Sequence, residues 1–285
     1  MSRSTLLSVL LVLSGVVSVQ LGAAIADKMF GTVAPASVTT LRLWFAALFL
    51  VLAGGRGAVR AAVTIVKRRE WRDGAVAIGF GITLGVMNFS IYQAFARIPL
   101  GVAVTIEFLG PLAVSVAGSR HRRDLIWVTL GALGVVLLTG GVGQRLDLTG
   151  VLFGLLAGAC WALYILLSRA SGQRFSGPSG LVLAMVVAAV VVTPPGLVSA
   201  PAARLFRPGI LAEGAAIGLL SSVVPYWLEL EVLRRIPARV FGVWMSMEPA
   251  VAALIGLILL GQRLSLVEWA AIGCVMVACA GAGLG

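Results

Sequence analysis

The sequence predicts an all-α polytopic membrane protein, with ten transmembrane helices arranged as two inverted five-helix repeats around a central cavity. Three observations predict it. Hydrophobic residues fill 60% of the 285 positions and charged residues only 12%, about half the charged share of a soluble domain. Apolar runs follow one another almost end to end, and each is near the roughly 20 residues that a helix needs to cross a hydrocarbon core. Finally, Arg97-Ile98-Pro99 recurs as Arg235-Ile236-Pro237 at a separation of 138 residues, and Pro111 and Pro249 share that separation.

Between charged or Gly/Pro breaks the spans fall near 5–26, 35–54, 74–95, 99–118, 125–141, 150–168, 178–199, 209–230, 238–259 and 266–284. The first begins after Arg3 and ends at Ala24-Ile25-Ala26 before Asp27, a pattern that mimics a secretory signal and its cleavage site. It is long enough to span and further spans follow, so it reads as the first helix. The longest loop, Gly55 to Asp73, holds Arg56, Arg60, Lys67, Arg68, Arg69 and Arg72. Basic residues mark cytoplasmic loops. With the N-terminus inside, the inner segments hold Arg3, that basic loop, Arg120, Arg122, Arg123, Arg169, Arg174, Arg234, Arg235 and Arg239. The outer segments hold only Lys28, Arg97, Arg145, Arg204, Arg207 and Arg263. Both termini are therefore expected in the cytoplasm of a multi-pass plasma-membrane protein. The net charge of +11 serves this topology and anionic lipid. It forms no stripe interleaved with aromatics, so nucleic acid is not an expected partner.

The repeat sets the division into 1–144 (helices 1–5) and 145–285 (helices 6–10). Five spans is an odd number, so the second half enters the membrane upside down relative to the first. The loops agree: the one before Pro99 has one Arg where that around Pro237 has three, and the bias reverses after the Pro111 and Pro249 helices. Inverted repeats with broken helices are the architecture of secondary transporters.

Ionisable groups inside a bilayer need a reason, because each costs about 2.5–3.5 kcal/mol at the centre on insertion scales. Glu107 and Glu248 stand near the midpoints of the two proline-interrupted helices. Pro111 cannot donate to the carbonyl of Glu107, nor Pro249 to that of Met245. Each half is thus expected to offer a carboxylate and an orphan carbonyl at similar depth, acceptors for an ammonium group or a proton. A protonated glutamate pinning two helices is the structural alternative. Arg42 is the available counter-charge, either for a substrate carboxylate or for one of the glutamates. Glu229, one turn after Pro225-Tyr226, is a further candidate, whereas Glu231 reads as a solvated end residue near Arg234 and Arg235. Gln20, Asn88, Tyr92, Tyr164, Tyr226 and Ser246 can orient a small polar molecule or bond helix to helix. Trp161 and Trp244 lie mid-span, away from the interfacial belt, as cavity walls or as packing.

Gly150, Gly154 and Gly158 form a small-residue stripe for close helix approach. Cys160, Cys274 and Cys279 read as core packing, neither a disulfide framework nor a metal site. His121, the only histidine, falls in a cytoplasmic loop. No nucleotide-binding loop or nucleophile–base pair is present, and no cofactor is implied. No feature specifies an oligomeric state.

The whole chain resembles the threonine/homoserine exporter branch of the drug/metabolite transporter superfamily, whose members are built from two EamA-type repeats. The resemblance is carried by Gln20-Leu21-Gly22-Ala23-Ala24, Leu41-Arg42-Leu43, Met87-Asn88-Phe89, the run Ile98 to Pro111, Gly158 to Leu166 around Trp161 and Tyr164, Pro225-Tyr226 with Glu229, and Met245-Ser246-Met247-Glu248-Pro249-Ala250. It implies a ten-helix basket that exports small neutral amino acids at the expense of the proton-motive force. Asp27-Lys28 departs from the Ala-Lys of relatives and adds a carboxylate at the outer mouth. On this reading Glu107 or Glu248 exchanges protons inward for substrate outward by alternating access. Asn88, Tyr164 and Tyr226 hold the substrate, and Trp161 and Trp244 wall it. An exporter of other metabolites or drugs is the alternative within the fold. A lipid flippase or membrane-embedded enzyme is the alternative outside it; the first wants basic residues at depth, of which Arg42 is the only one, and the second wants a catalytic cluster that is not found.

Overall fold

The computed structural model describes residues 3–117, 125–140, 146–233 and 235–284. Arg120, His121, Arg122, Arg123, Arg145 and Arg234, and the expected boundary between the halves at 144/145, lie outside the described residues. Among those described, all regular structure is helical. Eight helical segments are long and apolar enough to cross a membrane, and two shorter apolar helices, Leu125–Leu138 and Leu266–Ala282, accompany them.

Helix α1 (Arg3–Met29) leads to α2 (Pro35–Arg68), which starts with proline at its first turn, where no N–H is needed. The sequence placed a loop from Gly55 to Asp73, but α2 continues through it to Arg68. The glycines there are contact points rather than breaks: Gly54 faces Pro178, and a Cβ on Gly57 would lie 2.6 Å from the Ser179 hydroxyl. Lys67 and Arg68 occupy the last turn, where the helix dipole favours cations. Arg69 then ends the helix in the left-handed region, φ 53°. Helix α3 (Trp71–Phe95) returns across the bundle.

The next expected span divides into α4 (Leu100–Glu107) and α5 (Leu109–Ala117), broken at Phe108. Helices α6 (Leu125–Gly140), α7 (Leu148–Gly172) and α8 (Ser179–Val198) follow, α8 carrying Pro194 and Pro195 within it. A short α9 (Ala202–Leu205) precedes α10 (Pro208–Gly218), which passes through a π-helical turn, Leu219–Val223, into α11 (Val224–Leu233). The chain closes with α12 (Ala238–Met245), α13 (Glu248–Leu260) and α14 (Leu266–Leu284).

Helices α2 and α3 pack on α8, α3 also on α7, and α6 on α14. Asp73 and Arg174 pair at 3.2 Å, tying the start of α3 to the end of α7 at one end of the bundle. The main core joins Ala23, Ala26, Met29 and Val33 to Tyr92, Phe95, Ile98 and Leu100. Outward-facing Leu52, Val198, Ile258 and Leu266 are largely exposed, the surface expected against lipid. The glycine stripe on α7 acts as the sequence suggested. Gly150 meets Ile98, Gly154 meets Ile106, and a Cβ on Gly158 would lie 2.8 Å from the Glu107 carbonyl oxygen.

Gly110 and Gly158 abut where α5 crosses α7, and a Cβ on Gly110 would fall on the carbonyl of Gly158. Gly110→Ala is expected to cost about 1–3 kcal/mol by overpacking, read as a lowered melting temperature of the detergent-purified protein. Gly79→Ala, which meets nothing within 4 Å, is expected to leave that temperature unchanged or raise it slightly.

Candidate functional site

The site is built on the broken helices. Helices α4 and α12 occupy 100–107 and 238–245, again 138 residues apart. Each follows a proline of nearly the same conformation, Pro99 at φ −54°, ψ 142° and Pro237 at φ −60°, ψ 144°. Pro111 and Pro249 withhold the N–H that would continue each helix. The two carboxylates are not at equivalent positions, however. Glu107 closes the half-helix before its break, whereas Glu248 opens the half-helix after its own. Glu248 thus lies in the first turn of α13, where the helix dipole favours negative charge. Glu107 lacks that support and is near enough to Arg42 and Glu248 for the charges to interact.

Two neighbouring cavities with shared lining residues occupy the middle of the bundle. The larger, about 420 Å³, runs toward the end where α1 begins, between Leu11 and Gly15 of α1, Leu112 and Ser115 of α5, Glu229 of α11, and Phe241 and Gly242 of α12. The smaller, about 120 Å³, lies deeper, among Gln20, Arg42, Asn88, Tyr92 and Glu107. Val19, Met87, Trp161, Ser221 and Glu248 border both. Beyond the smaller chamber the main core closes the bundle, and α4 meets α13 so closely that a Cβ on Gly101 would lie 2.6 Å from the Cα of Ala253.

Polar side chains knit this region across the chain. Gln20 Nε2 donates to Glu248 Oε1 at 2.9 Å, both residues being buried. Arg42 donates to the carbonyl of Ser221 at 3.1 Å and lies 5.2 Å from the centre of the Tyr92 ring. Asn88 donates to the carbonyl of Leu84, one turn back in α3, at 2.8 Å. Tyr164 and Tyr226 line the larger cavity within hydrogen-bonding reach of one another. Glu229 is near enough to Glu248 for their charges to interact. Trp161 stands edge-on to Phe108, ring centroids 4.8 Å apart, and borders both chambers.

Most of the residues singled out in the sequence therefore converge. Two do not. Trp244 packs beside the cluster of Val12, Val16 and Val232. Ser246 is buried, and its hydroxyl donates to the carbonyl of Val243 at 2.6 Å. Neither lines a chamber, and nor does Asp27. Glu231 pairs with Arg235 at an exposed helix end, the surface role expected of it. Ser221 was missed, although the signal was available. Pro225 stands four residues after it and cannot donate to its carbonyl, the rule applied to Pro111 and Pro249. Cys279 also lines the larger cavity, its thiol 3.8 Å from the carbonyl of Phe108.

The EamA-like transporter family model matches residues 148–284. The chain is 37% identical to the threonine/homoserine exporter RhtA of Escherichia coli (strain K12), over 98% of this chain and 92% of that protein. It is 39% identical, with the same coverage, to the threonine/homoserine exporter RhtA of Salmonella typhimurium (strain LT2). A protein of known crystal structure superimposes over 99% of this chain and 98% of its own with a TM-score of 0.64. At 19% identity it speaks for the fold alone.

The Gln20–Glu248 bond joins α1 to α13, so its removal is testable as a coupling. In thermal unfolding of the detergent-purified protein, Gln20→Ala and Glu248→Ala are each expected to destabilise. The double variant should be less destabilised than their sum by about 0.5–2 kcal/mol. Strict additivity would remove the bond from the account.

Proposed function

Since the chain belongs to the EamA-like transporter family, in the branch of the threonine/homoserine exporters, we propose that it exports small neutral amino acids of the threonine and homoserine kind, in exchange for protons, by alternating access. It is a transporter and not an enzyme, a multi-pass protein of the bacterial inner membrane. The proposed topology is ten spans in two inverted halves, 1–144 and 145–285, with both termini cytoplasmic. The matched half-helices α4 and α12, entered from prolines 138 residues apart, support the repeat.

The observation that carries the proposal is the difference between the two crossings of broken helices. Helix α4 is closed on α13 at Gly101 and Ala253, whereas the larger cavity separates α5 from α12. With cytoplasmic termini this is an inward-facing arrangement, shut on the outside and open to cytoplasmic substrate. Two halves of like local structure can exchange these packings, which is what alternating access requires. Proton exchange is supported by the charge balance. Glu107, Glu229 and Glu248 border the cavities with Arg42 as the one cation among the described lining residues. Buried carboxylates in excess of their partners require neutralisation by a bound cation or a proton.

Efflux of radiolabelled threonine from proteoliposomes, with and without an imposed pH gradient, tests the reading. Loss of threonine is expected to accelerate when the receiving side is acidic. Glu248→Gln and Glu107→Gln are each expected to abolish that acceleration, since an amide cannot carry the proton. Normal rates and unchanged pH dependence in both variants would sink the coupling. Failure of threonine, homoserine, serine and alanine to move would shift the reading to an exporter of other metabolites or drugs.

A further inference from the structure

We infer that the smaller chamber is a socket for the two charged ends of a free α-amino acid, with Arg42 and Tyr92 taking the carboxylate and Gln20 and Glu107 the ammonium group. The inference rests on the amino-acid export reading and assigns its poles. Among the described residues, four buried side-chain polar atoms lack a hydrogen-bond partner: Gln20 Oε1, Arg42 Nε, Ser90 Oγ and Tyr92 Oη. Three of those four residues line this one chamber of about 120 Å³. A buried polar group left unpaired costs about 1–3 kcal/mol, so three around a single small space call for a ligand that supplies their partners.

The chemistry of the orphans specifies that ligand. Arg42 Nε–H and the Tyr92 hydroxyl are donors on α2 and α3, and the Arg42 guanidinium lies over the Tyr92 ring at 5.2 Å. Arg42 is already held by donation from its Nη2 to the Ser221 carbonyl at 3.1 Å. Its buried Nε–H has no partner, and a guanidinium with donors to spare is the group that grips a carboxylate. No carboxylate of the described residues pairs with Arg42 at ion-pair distance. Gln20 is held by donating its amide N–H to Glu248 at 2.9 Å. That leaves its Oε1 as an acceptor, with the Glu107 carboxylate on the same chamber. Donors with a cation and acceptors with an anion thus border one small space, the complement of a zwitterion. At about 120 Å³ the chamber itself is smaller than drug-sized pockets, which run to about 300–1,000 Å³. Ordered water would satisfy hydrogen bonds here but would leave the guanidinium without a carboxylate at ion-pair distance.

Binding to the detergent-purified full chain tests this, with thermal protection read against L-threonine, L-threoninamide (no carboxylate charge) and N-acetyl-L-threonine (no ammonium). The wild type is expected to prefer threonine over either analogue by roughly tenfold or more, as a site with paired polar groups rejects ligands that lack them. In Arg42→Gln the affinity for threonine should fall about tenfold or more and its preference over the amide should collapse, while its preference over the N-acetyl compound persists. Tyr92→Phe, which keeps the ring beneath Arg42, should weaken threonine by a smaller factor, and it decides the matter if Arg42→Gln does not fold. Equal protection of the wild type by threonine and threoninamide overturns the assignment, as does an unchanged preference in Arg42→Gln. In both cases amino-acid export itself stands. Absence of protection or transport by any neutral amino acid in the wild type removes the export reading, and the socket with it.

Discussion

A carbonyl that loses its helical N–H inside a hydrocarbon core has no water to turn to, and this chain creates such carbonyls where its spans meet. Each break has to be answered by another part of the fold. The carbonyl of Ser221, released by Pro225, accepts from Arg42 in α2. The break at Phe108 is met by the close approach of α7 through Gly158 against the Glu107 carbonyl, which Pro111 releases, while the Phe108 carbonyl keeps the Leu112 N–H at 3.2 Å. The N–H of Leu100, unsatisfied at the start of α4, donates to the Gln262 side chain at 2.9 Å. These answers come from distant parts of the sequence, so the breaks draw the two halves of the chain together. The cavities exist because continuous helices do not fill the space where the half-helices end.

Much of this is written in local sequence. Apolar runs placed the helices, and the 138-residue spacing of Ile-Pro and Pro located both breaks. Ionisable and aromatic residues too costly to leave in lipid pointed to Glu107, Glu248, Arg42 and Trp161. What failed did so where local signals are ambiguous. Glycines and arginines between Gly54 and Arg69 look like a loop, yet Gly57 is small because Ser179 lies against it, a contact between residues far apart in the chain. Trp244 and Ser246 share a helical run with Glu248, but which face of that run meets the cavity is set by the break at Ser246 and Met247. A lone polar residue also does not reveal its partner: the Gln20–Glu248 bond spans 228 positions.

The position of each carboxylate relative to its break gives the two distinct electrostatic surroundings despite the matched half-helices α4 and α12. Glu248 has the N-terminal dipole of α13 and the Gln20 amide. Glu107 ends a helix and looks to Arg42 and its own chamber. A pair related by symmetry would compete for the same role. This offset pair instead places one carboxylate against both chambers, and the other only in the inner one.

That offset bears on coupling in the proposed cycle. A zwitterion adds no net charge, so its arrival cannot by itself offset three carboxylates facing one arginine. It redistributes charge instead: its carboxylate end occupies Arg42, which withdraws from Glu107 the cation that Glu107 otherwise faces. Its ammonium end then replaces that cation, provided Glu107 is not protonated. Proton and ammonium therefore contend for the same oxygen atoms while the arginine is shared with neither. In the proposed cycle exchange follows from this contention, because a site whose acceptors hold a proton has no place for the ammonium group. No distant relay is needed, and the half-helices have only to present the same small chamber to one side of the membrane and then the other.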